Sequence, residues 1–158
     1  MNKFKLTDLL IFVVTAELTG AVSALLSGDF SNFYAEIVQP PFAPPAWLFP
    51  VVWAVLYALM GISAYMVWNT DKKTSGRSFA LKVYYTQLAV NFSWSIIFFR
   101  FRLFGAAAVT AIILLLLVMT MIISFARVRK AAAKINVPYL LWLCFAAYLS
   151  VAIYIING

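Results

Sequence analysis

Five long apolar runs alternate with short polar segments along this chain. Each run holds about 20 residues, the number that a helix needs to cross a hydrocarbon core about 30 Å thick. The runs lie approximately at residues 6–26, 46–68, 79–99, 104–125 and 137–156. The pattern predicts an all-α membrane protein in which residues 1–158 form a single domain, a bundle of five transmembrane helices.

The connection between the first two runs, residues 28–45, has an unusual composition. It contains two proline pairs, Pro40-Pro41 and Pro44-Pro45, together with several aromatic residues. Proline disfavours a helix interior because it lacks a backbone donor and clashes with the preceding turn. We expect this segment to be a stiff, non-helical lid over one end of the bundle, above a cavity that suits a flat hydrophobic ligand.

The overall composition excludes a water-soluble fold. The chain is 65% hydrophobic, 17% aromatic and 11% charged, far outside the range of soluble domains. A net charge of +7 would suggest a nucleic-acid partner in a soluble protein, but here the Lys and Arg residues cluster between the apolar runs. Such clusters set membrane orientation. The expected partner is the lipid bilayer, and no nucleic-acid binding is expected.

The basic residues divide unequally between the two ends of the predicted bundle. Arg100 and Arg102 lie at one end. The other end has Lys3, Lys5, Lys72, Lys73, Arg77, Lys82, Arg127, Arg129, Lys130 and Lys134. The positive-inside rule therefore predicts a cytoplasmic N-terminus and an outward-facing C-terminus. We expect a bacterial cell membrane.

The first run also fits a secretory signal peptide. Lys3 and Lys5 precede the apolar stretch, and Ala21-Val22-Ser23-Ala24 resembles a cleavage site. The stretch is long for a signal peptide and contains Glu17, which favours a membrane span.

Histidine and cysteine usage restricts the chemistry. The chain has no histidine, so the commonest metal ligand and the usual base at physiological pH are missing, and we expect no metal site. The single cysteine, Cys144, cannot form an intrachain disulfide. Because it lies in an apolar run, we expect it to be a small buried hydrophobic residue.

Polar residues within the runs are the most informative positions, because a polar group at mid-depth must face protein or a water-lined cavity. In the third run a polar and aromatic stripe recurs at steps of three and four and should point into the bundle. It comprises Tyr84, Gln87, Asn91, Trp94 and Phe98. Similar spacing occurs in the second run, at Trp53, Tyr57 and Met60, and in the fifth, at Trp142, Ala146, Leu149 and Ile153.

Glu17 lies near the middle of the first run, next to a small-residue edge formed by Ala16, Gly20 and Ala24. The carboxylate is either a proton-linked or ligand-contacting group, or a protonated packing residue. Small-residue edges let helices approach closely. This edge and Gly105-Ala106-Ala107-Ala108 are both candidate faces for a homodimer.

Several segments together resemble the tryptophan-rich sensory protein and translocator protein family (TspO/MBR, the peripheral benzodiazepine receptor family). The first part of the resemblance is in Gln39-Pro40-Pro41-Phe42-Ala43-Pro44-Pro45-Ala46-Trp47, Phe49-Pro50-Val51-Val52-Trp53, Leu56-Tyr57, Met60-Gly61, Tyr65 and Val67-Trp68. The second part is in Gln87-Leu88-Ala89-Val90-Asn91, Trp94-Ser95, Phe98-Phe99, Pro138-Tyr139-Leu140-Leu141-Trp142, Phe145-Ala146 and Leu149.

The resemblance implies a five-helix bundle, usually a homodimer, with a pocket under the proline-rich loop. The ligands it implies are tetrapyrroles such as protoporphyrin IX, sterol-like lipids and aromatic drugs, and it implies no obligatory cofactor. The ligand contacts that it implies are Trp53, Asn91, Trp142 and Ala146, with Pro44, Tyr57, Phe98 and Phe145 lining the same cavity. Trp53 and Trp142 would be the pair linked to light-dependent porphyrin breakdown.

The chain departs from the family pattern at several positions. Phe33-Tyr34 stands where a Trp-Tyr pair is common, and Leu149-Ser150 stands where Leu-Asn is frequent. No Lys or Arg follows Tyr154, so the sterol-contact signature, a weak motif in any case, is incomplete.

The leading hypothesis is a membrane receptor or sensor that binds porphyrin-like ligands and translocates them in some settings. The alternatives are a light-dependent porphyrin-degrading enzyme, in which the ligand supplies the hard chemistry, and a proton-linked small-molecule transporter that depends on Glu17.

Overall fold

The structure of the protein, a computed structural model, describes residues 4–158 without the side chains of Phe30 and Ser31. Lys3, one of the basic residues counted above, lies outside the described residues. Within them the chain is helical, and its helices are α1 (Leu6–Ser27), α2 (Phe30–Glu36), α3 (Leu48–Trp68), α4 (Arg77–Ser95), α5 (Phe104–Val128), α6 (Lys130–Ile135) and α7 (Val137–Asn157). A π-helical turn, Ile96–Arg100, directly continues α4.

Four helical segments of the described chain are long and apolar enough to cross a membrane, namely α1, α3, α5 and the consecutive pair α6 and α7. α4 is not among them because its sequence includes Lys82, Gln87 and Asn91. The chain is therefore an all-α protein of the membrane class. The predicted runs match α1, α3, α4 with its π-helical turn, α5 and α7 to within three residues at their ends.

The connection before α3 contains a helix, so the prediction of a wholly non-helical segment 28–45 is wrong. α2 forms because Asp29 caps its first turn: the Asp29 carboxylate accepts hydrogen bonds from the backbone N–H of Asn32 at 3.2 Å and from its carboxamide at 2.7 Å. The prolines follow this helix rather than interrupt it. The polar segment after the fourth run, predicted as a break, likewise contains α6.

α1 and α3 pack closely, because two glycines remove side chains from their contact. A Cβ atom on Gly61 would lie 2.6 Å from Val13 Cα, and one on Gly20 would lie 2.2 Å from the Tyr57 ring. α5 packs on both α4 and α7, where a Cβ on Gly105 would lie 3.1 Å from the Tyr154 ring. Both small-residue edges that we considered as dimer faces are thus used within the chain.

The stripe predicted along the third run does face the interior. All of its members are at most 7% exposed: Tyr84, Gln87, Asn91, Trp94 and Phe98. The expectation for Cys144 is wrong, since this residue is exposed. It lies on the face of α7 opposite to the buried residues Ala146, Leu149 and Ile153, so it faces away from the bundle.

Candidate functional site

A chamber lies inside the bundle at the end that carries α2, and we call this end the α2 end. Its cavity volume is about 30 Å³, so its walls lie close together. α3, α4 with its π-helical turn, α7 and the segment around α2 surround it. Its lining residues are Tyr34, Ile37, Gln39, Ala43, Phe49, Trp53, Trp94, Phe98, Phe99, Ala146, Leu149, Ser150 and Ile153.

One side of the chamber is a continuous wall of aromatic rings. The centroids of Trp53 and Trp94 are 6.5 Å apart, and Trp94 stacks on Phe98 at 5.3 Å. The π-helical turn inserts an extra residue into the helix, and π turns of this kind are frequent at functional sites. Here the turn brings the consecutive residues Phe98 and Phe99 to the same wall, with ring centroids 4.8 Å apart.

A buried chain of hydrogen bonds crosses the bundle next to this wall. The Asn91 carboxamide donates to the Tyr139 hydroxyl at 3.1 Å, and that hydroxyl donates to the Gln87 carbonyl oxygen at 2.9 Å. The Gln87 amide nitrogen in turn lies 3.6 Å from the Met60 sulfur. A thioether cannot donate, so the Gln87 amide nitrogen faces Met60 and the Gln87 carbonyl oxygen accepts from Tyr139. The Tyr139 hydroxyl therefore accepts from the Asn91 amide nitrogen, and Asn91 Oδ1 has no partner among the described residues.

The segment around α2 forms a cover over the chamber, and residues 34–45 of this cover are tied to the bundle or to each other by hydrogen bonds. The Tyr34 hydroxyl donates to the Pro44 carbonyl, and the Tyr148 hydroxyl donates to the Pro41 carbonyl at 3.0 Å. Burial raises the pKa of the Tyr34 phenol, so its hydroxyl stays protonated and able to donate at neutral pH.

The C-terminal residues of α7 hold the same cover. Asn157 Oδ1 accepts from the Val38 backbone N–H at 2.9 Å, and Asn157 Nδ2 donates to the Val38 carbonyl at 3.1 Å. An ion pair of 2.6 Å joins Arg102 to Glu36 in α2. Both partners of this ion pair are exposed, so it adds little to stability, whereas the paired bonds at Val38 fix the position of the backbone.

Few polar groups around the chamber remain available to a ligand. Ser150 donates to the Ala146 carbonyl at 2.8 Å, and Gln39 donates to the Tyr34 carbonyl. In contrast, the indole N–H of Trp94 is buried and has no hydrogen-bond partner among the described residues. The chamber therefore offers stacking surface and, in the indole N–H of Trp94, a buried donor without a partner among the described residues. No cluster of three potential metal ligands occurs in the described part of the chain.

The eight residues expected to contact ligand do not all lie together. Trp53, Phe98 and Ala146 line the chamber. Trp142 and Phe145 instead line a groove between α3 and α7 on the outside of the bundle. Phe49 lies between the groove and the chamber, since its ring is 5.9 Å from that of Trp142.

The other three expected contacts have separate positions. Asn91 belongs to the buried hydrogen-bond chain, and Pro44 belongs to the cover, where it accepts from Tyr34. Tyr57 lines a second cavity between α1 and α3. Nothing in the structure tests whether any of the eight binds ligand, so their roles stay predictions.

The expected site residues omitted several that line the chamber, above all Trp94, Phe49 and Tyr34. Trp94 had a signal in the sequence, because it falls one turn after Asn91 on the buried stripe. Tyr34 and Phe49 had none, since their position depends on how the connection before α3 folds back. Glu17, the basis of the transporter hypothesis, is only half-buried and lies against the backbone of Ala58 in α3, outside the chamber.

Comparison with known proteins identifies relatives over the whole length of the chain. The model of the TspO/MBR family matches residues 10–155. The tryptophan-rich protein TspO of Chlorobaculum tepidum is 34% identical over 157 residues, 99% of each chain, and that of Archaeoglobus fulgidus is 35% identical over 158 residues, 100% of each chain. The human translocator protein is 32% identical over 133 residues, 84% of this chain and 79% of its own. This chain therefore belongs to the TspO/MBR family.

Proposed function

We propose that the protein is a membrane receptor or sensor that binds porphyrins and similar flat hydrophobic ligands in the chamber beneath the cover. The observation that carries this proposal is a chamber lined by tryptophan and phenylalanine rings inside the bundle. Its cavity volume is about 30 Å³, below the range of about 300–1,000 Å³ that small-molecule pockets occupy, so the chamber has to widen by rotation of its aromatic side chains when a porphyrin enters.

The chemistry of the wall favours a flat ligand with a hydrogen-bond acceptor. Indole faces offer large, rigid stacking surfaces, and the unpartnered N–H of Trp94 can donate to a carbonyl or carboxyl oxygen. Protoporphyrin IX combines both features, with an aromatic macrocycle and two carboxylic acid side chains. It is the ligand that we propose, and no further cofactor is required for its binding.

We propose five transmembrane spans, with α4 and its π-helical turn as the additional one. Arg77–Arg100 is long enough, at about 1.5 Å per residue, to cross a core about 30 Å thick. Its polar residues Gln87 and Asn91 face the interior, which is where a membrane helix can hold them. The basic end of the bundle would face the cytoplasm under the positive-inside rule, and the α2 end would face outward.

We also propose a homodimer, by analogy with the family. Because both small-residue edges pack within the chain, the exposed apolar face of α5 is the more suitable contact. This face includes Val109, Ile112, Leu116, Met119 and Ile123. Replacing Leu116 by a larger tryptophan should then shift the protein toward monomer in light-scattering measurements in detergent, and an unchanged mass would exclude this face.

A ligand titration with matched tryptophan variants tests the proposed function. Trp53→Leu removes an indole face from the chamber wall, whereas Trp47→Leu removes an indole that is 65% exposed in the cover segment. We expect Trp53→Leu to weaken protoporphyrin binding about tenfold, equivalent to about 1.4 kcal/mol, and Trp47→Leu to leave it nearly unchanged. The shift of the porphyrin absorbance band reports binding without relying on protein fluorescence.

Two results of this titration would contradict the proposal. The first is wild-type protein that does not shift the porphyrin absorbance at all. The second is an equal loss of affinity in the Trp53 and Trp47 variants, which would place the ligand outside the chamber.

A further inference from the structure

A second cavity, which we call the crevice, lies between α1, α3 and α4. Its cavity volume is about 340 Å³, and part of it is open to the outside of the bundle. Its lining residues are Gly20, Ala24, Ser27, Gly28, Phe49, Pro50, Trp53, Tyr57, Trp94, Ser95 and Phe99. The crevice is thus a feature of the α2 end, like the chamber.

The crevice exists because α1 and α3 separate toward the α2 end. At Gly61 the two backbones are in contact, since an added Cβ would lie 2.6 Å from Val13 Cα. Further along, at Gly20, the ring of Tyr57 fills the space between the helices. Beyond Tyr57 none of the side chains that the structure describes fills the gap, and the cavity opens between Ala24 of α1 and Pro50 of α3.

The crevice and the chamber lie on opposite sides of one aromatic wall. Phe49, Trp53, Trp94 and Phe99 line both cavities. The groove between α3 and α7 is larger, with a cavity volume of about 530 Å³, but none of the described residues that line it lines the chamber. Of these two openings in the side of the bundle, only the crevice shares lining residues with the chamber.

We infer that the crevice is the entrance through which the ligand passes from the bilayer into the chamber. This inference rests on the proposed function, because it requires the chamber to bind the ligand. The occupant is a flat, apolar molecule dissolved in the membrane that has a hydrogen-bond acceptor. The acceptor is needed because the buried indole N–H of Trp94, in the shared wall, has no hydrogen-bond partner among the described residues.

The lateral route requires a smaller rearrangement than entry through the cover. Entry through the cover would break the two Asn157 bonds to Val38 and the Tyr148 bond to Pro41. Passage through the wall requires rotation of side chains, above all that of Trp53, which is only partly buried. A hydrophobic ligand is also concentrated in the lipid that surrounds the crevice, rather than in water above the cover.

Two alanines of α1 provide a matched test of this entrance. Ala24 and Ala21 are both exposed and three residues apart, but only Ala24 lines the crevice. Ala24→Phe places a ring in the entrance, and Ala21→Phe places the same ring on the outer surface of the helix. Binding kinetics are measured with protoporphyrin and protein in nanodiscs, by stopped-flow absorbance at several ligand concentrations.

We expect Ala24→Phe to slow association and dissociation by the same factor, about tenfold, with an unchanged equilibrium affinity. A narrowed path has this effect because it raises the barrier for both directions. Ala21→Phe should keep wild-type rates. If Ala24→Phe binds at the wild-type rate, the crevice is not the entrance, although the chamber remains the proposed binding site.

Two further variants identify the competing routes. Val55→Trp fills the groove between α3 and α7, and slow association in this variant alone would overturn the inference in favour of that groove. Asn157→Leu loosens the cover, and faster association in this variant would overturn it in favour of entry from water. Absence of binding in the wild-type protein would contradict the proposed function itself, which separates the two failures.

Discussion

Removal of one hydroxyl tests the buried hydrogen-bond chain that joins α4 to α7. Tyr139 is fully buried, and its hydroxyl is the single link between Asn91 and Gln87. Tyr139→Phe keeps the ring, which packs at 6.2 Å from Trp53, and removes only the oxygen. The variant therefore separates hydrogen bonding from packing.

The expected loss of stability follows from the groups that are left unpaired. Without the hydroxyl, neither end of the Asn91 carboxamide has a partner among the described residues, because its oxygen already has none. Gln87 keeps only its contact with the Met60 sulfur. An unpaired buried polar group costs about 1–3 kcal/mol, while interhelical hydrogen bonds in membrane proteins average about 0.6 kcal/mol. Two lost bonds at this average give about 1.2 kcal/mol, and two unpaired groups at the full cost give about 2–6 kcal/mol. We expect the free energy of unfolding to fall by about 2–4 kcal/mol, in the lower part of the second range.

Reversible unfolding in mixed detergent micelles, followed by circular dichroism, measures this change. Tyr85→Phe is the control, because Tyr85 lies on the same helix as Asn91 and is 50% exposed. Asn91→Leu should reduce the effect of Tyr139→Phe by more than about 1 kcal/mol, as expected for residues in one network. A loss below about 1 kcal/mol in Tyr139→Phe, or additive effects in the double variant, would refute the reasoning.

Two further predictions concern helix packing and the cover. Gly61→Ala should lower the melting temperature in detergent, because its Cβ would meet the backbone of Val13 at a cost of about 1–3 kcal/mol or more. Gly105→Ala should be nearly neutral, since its Cβ would lie 3.1 Å from the ring of Tyr154, which can shift. An equal effect of both would contradict the account of α1 and α3. Asn157→Leu should speed hydrogen exchange around Val38, because both hydrogen bonds between the Asn157 side chain and the Val38 backbone are lost. Unchanged exchange would show that other contacts hold the cover.

The sequence predicts the long helices well because their hydrophobic runs are long and their ends are marked by charge or proline. The buried stripe of α4 could also be predicted, since residues at steps of three and four share one helical face. The short helix α2 could not be predicted from hydrophobicity, as it spans seven residues. Its signal is local: Asp29 stands three residues before Asn32, the spacing of a side-chain cap.

The candidate site is less predictable than the fold, because it depends on which helices separate and by how much. The spacing of four residues places Trp142 on the same face of α7 as Ala146, yet of these two residues only Ala146 lines the chamber. Phe49 lies between Trp142 and the chamber, and no pattern in the sequence indicates this. The exposure of Cys144, in contrast, could have been predicted from the sequence. Cys144 is two residues before Ala146, so helical geometry places it on the opposite, outer face of α7.

The central claim, that the chamber beneath the cover is the ligand site, is tested most directly by filling it. Ala146 lines the chamber, whereas Ala152, six residues along α7, lines a depression on the outer surface. In protoporphyrin titrations we predict that Ala146→Phe weakens binding at least about tenfold, equivalent to about 1.4 kcal/mol, and that Ala152→Phe binds like the wild type. Wild-type affinity in the Ala146→Phe variant, with its fold intact by circular dichroism, would contradict the account.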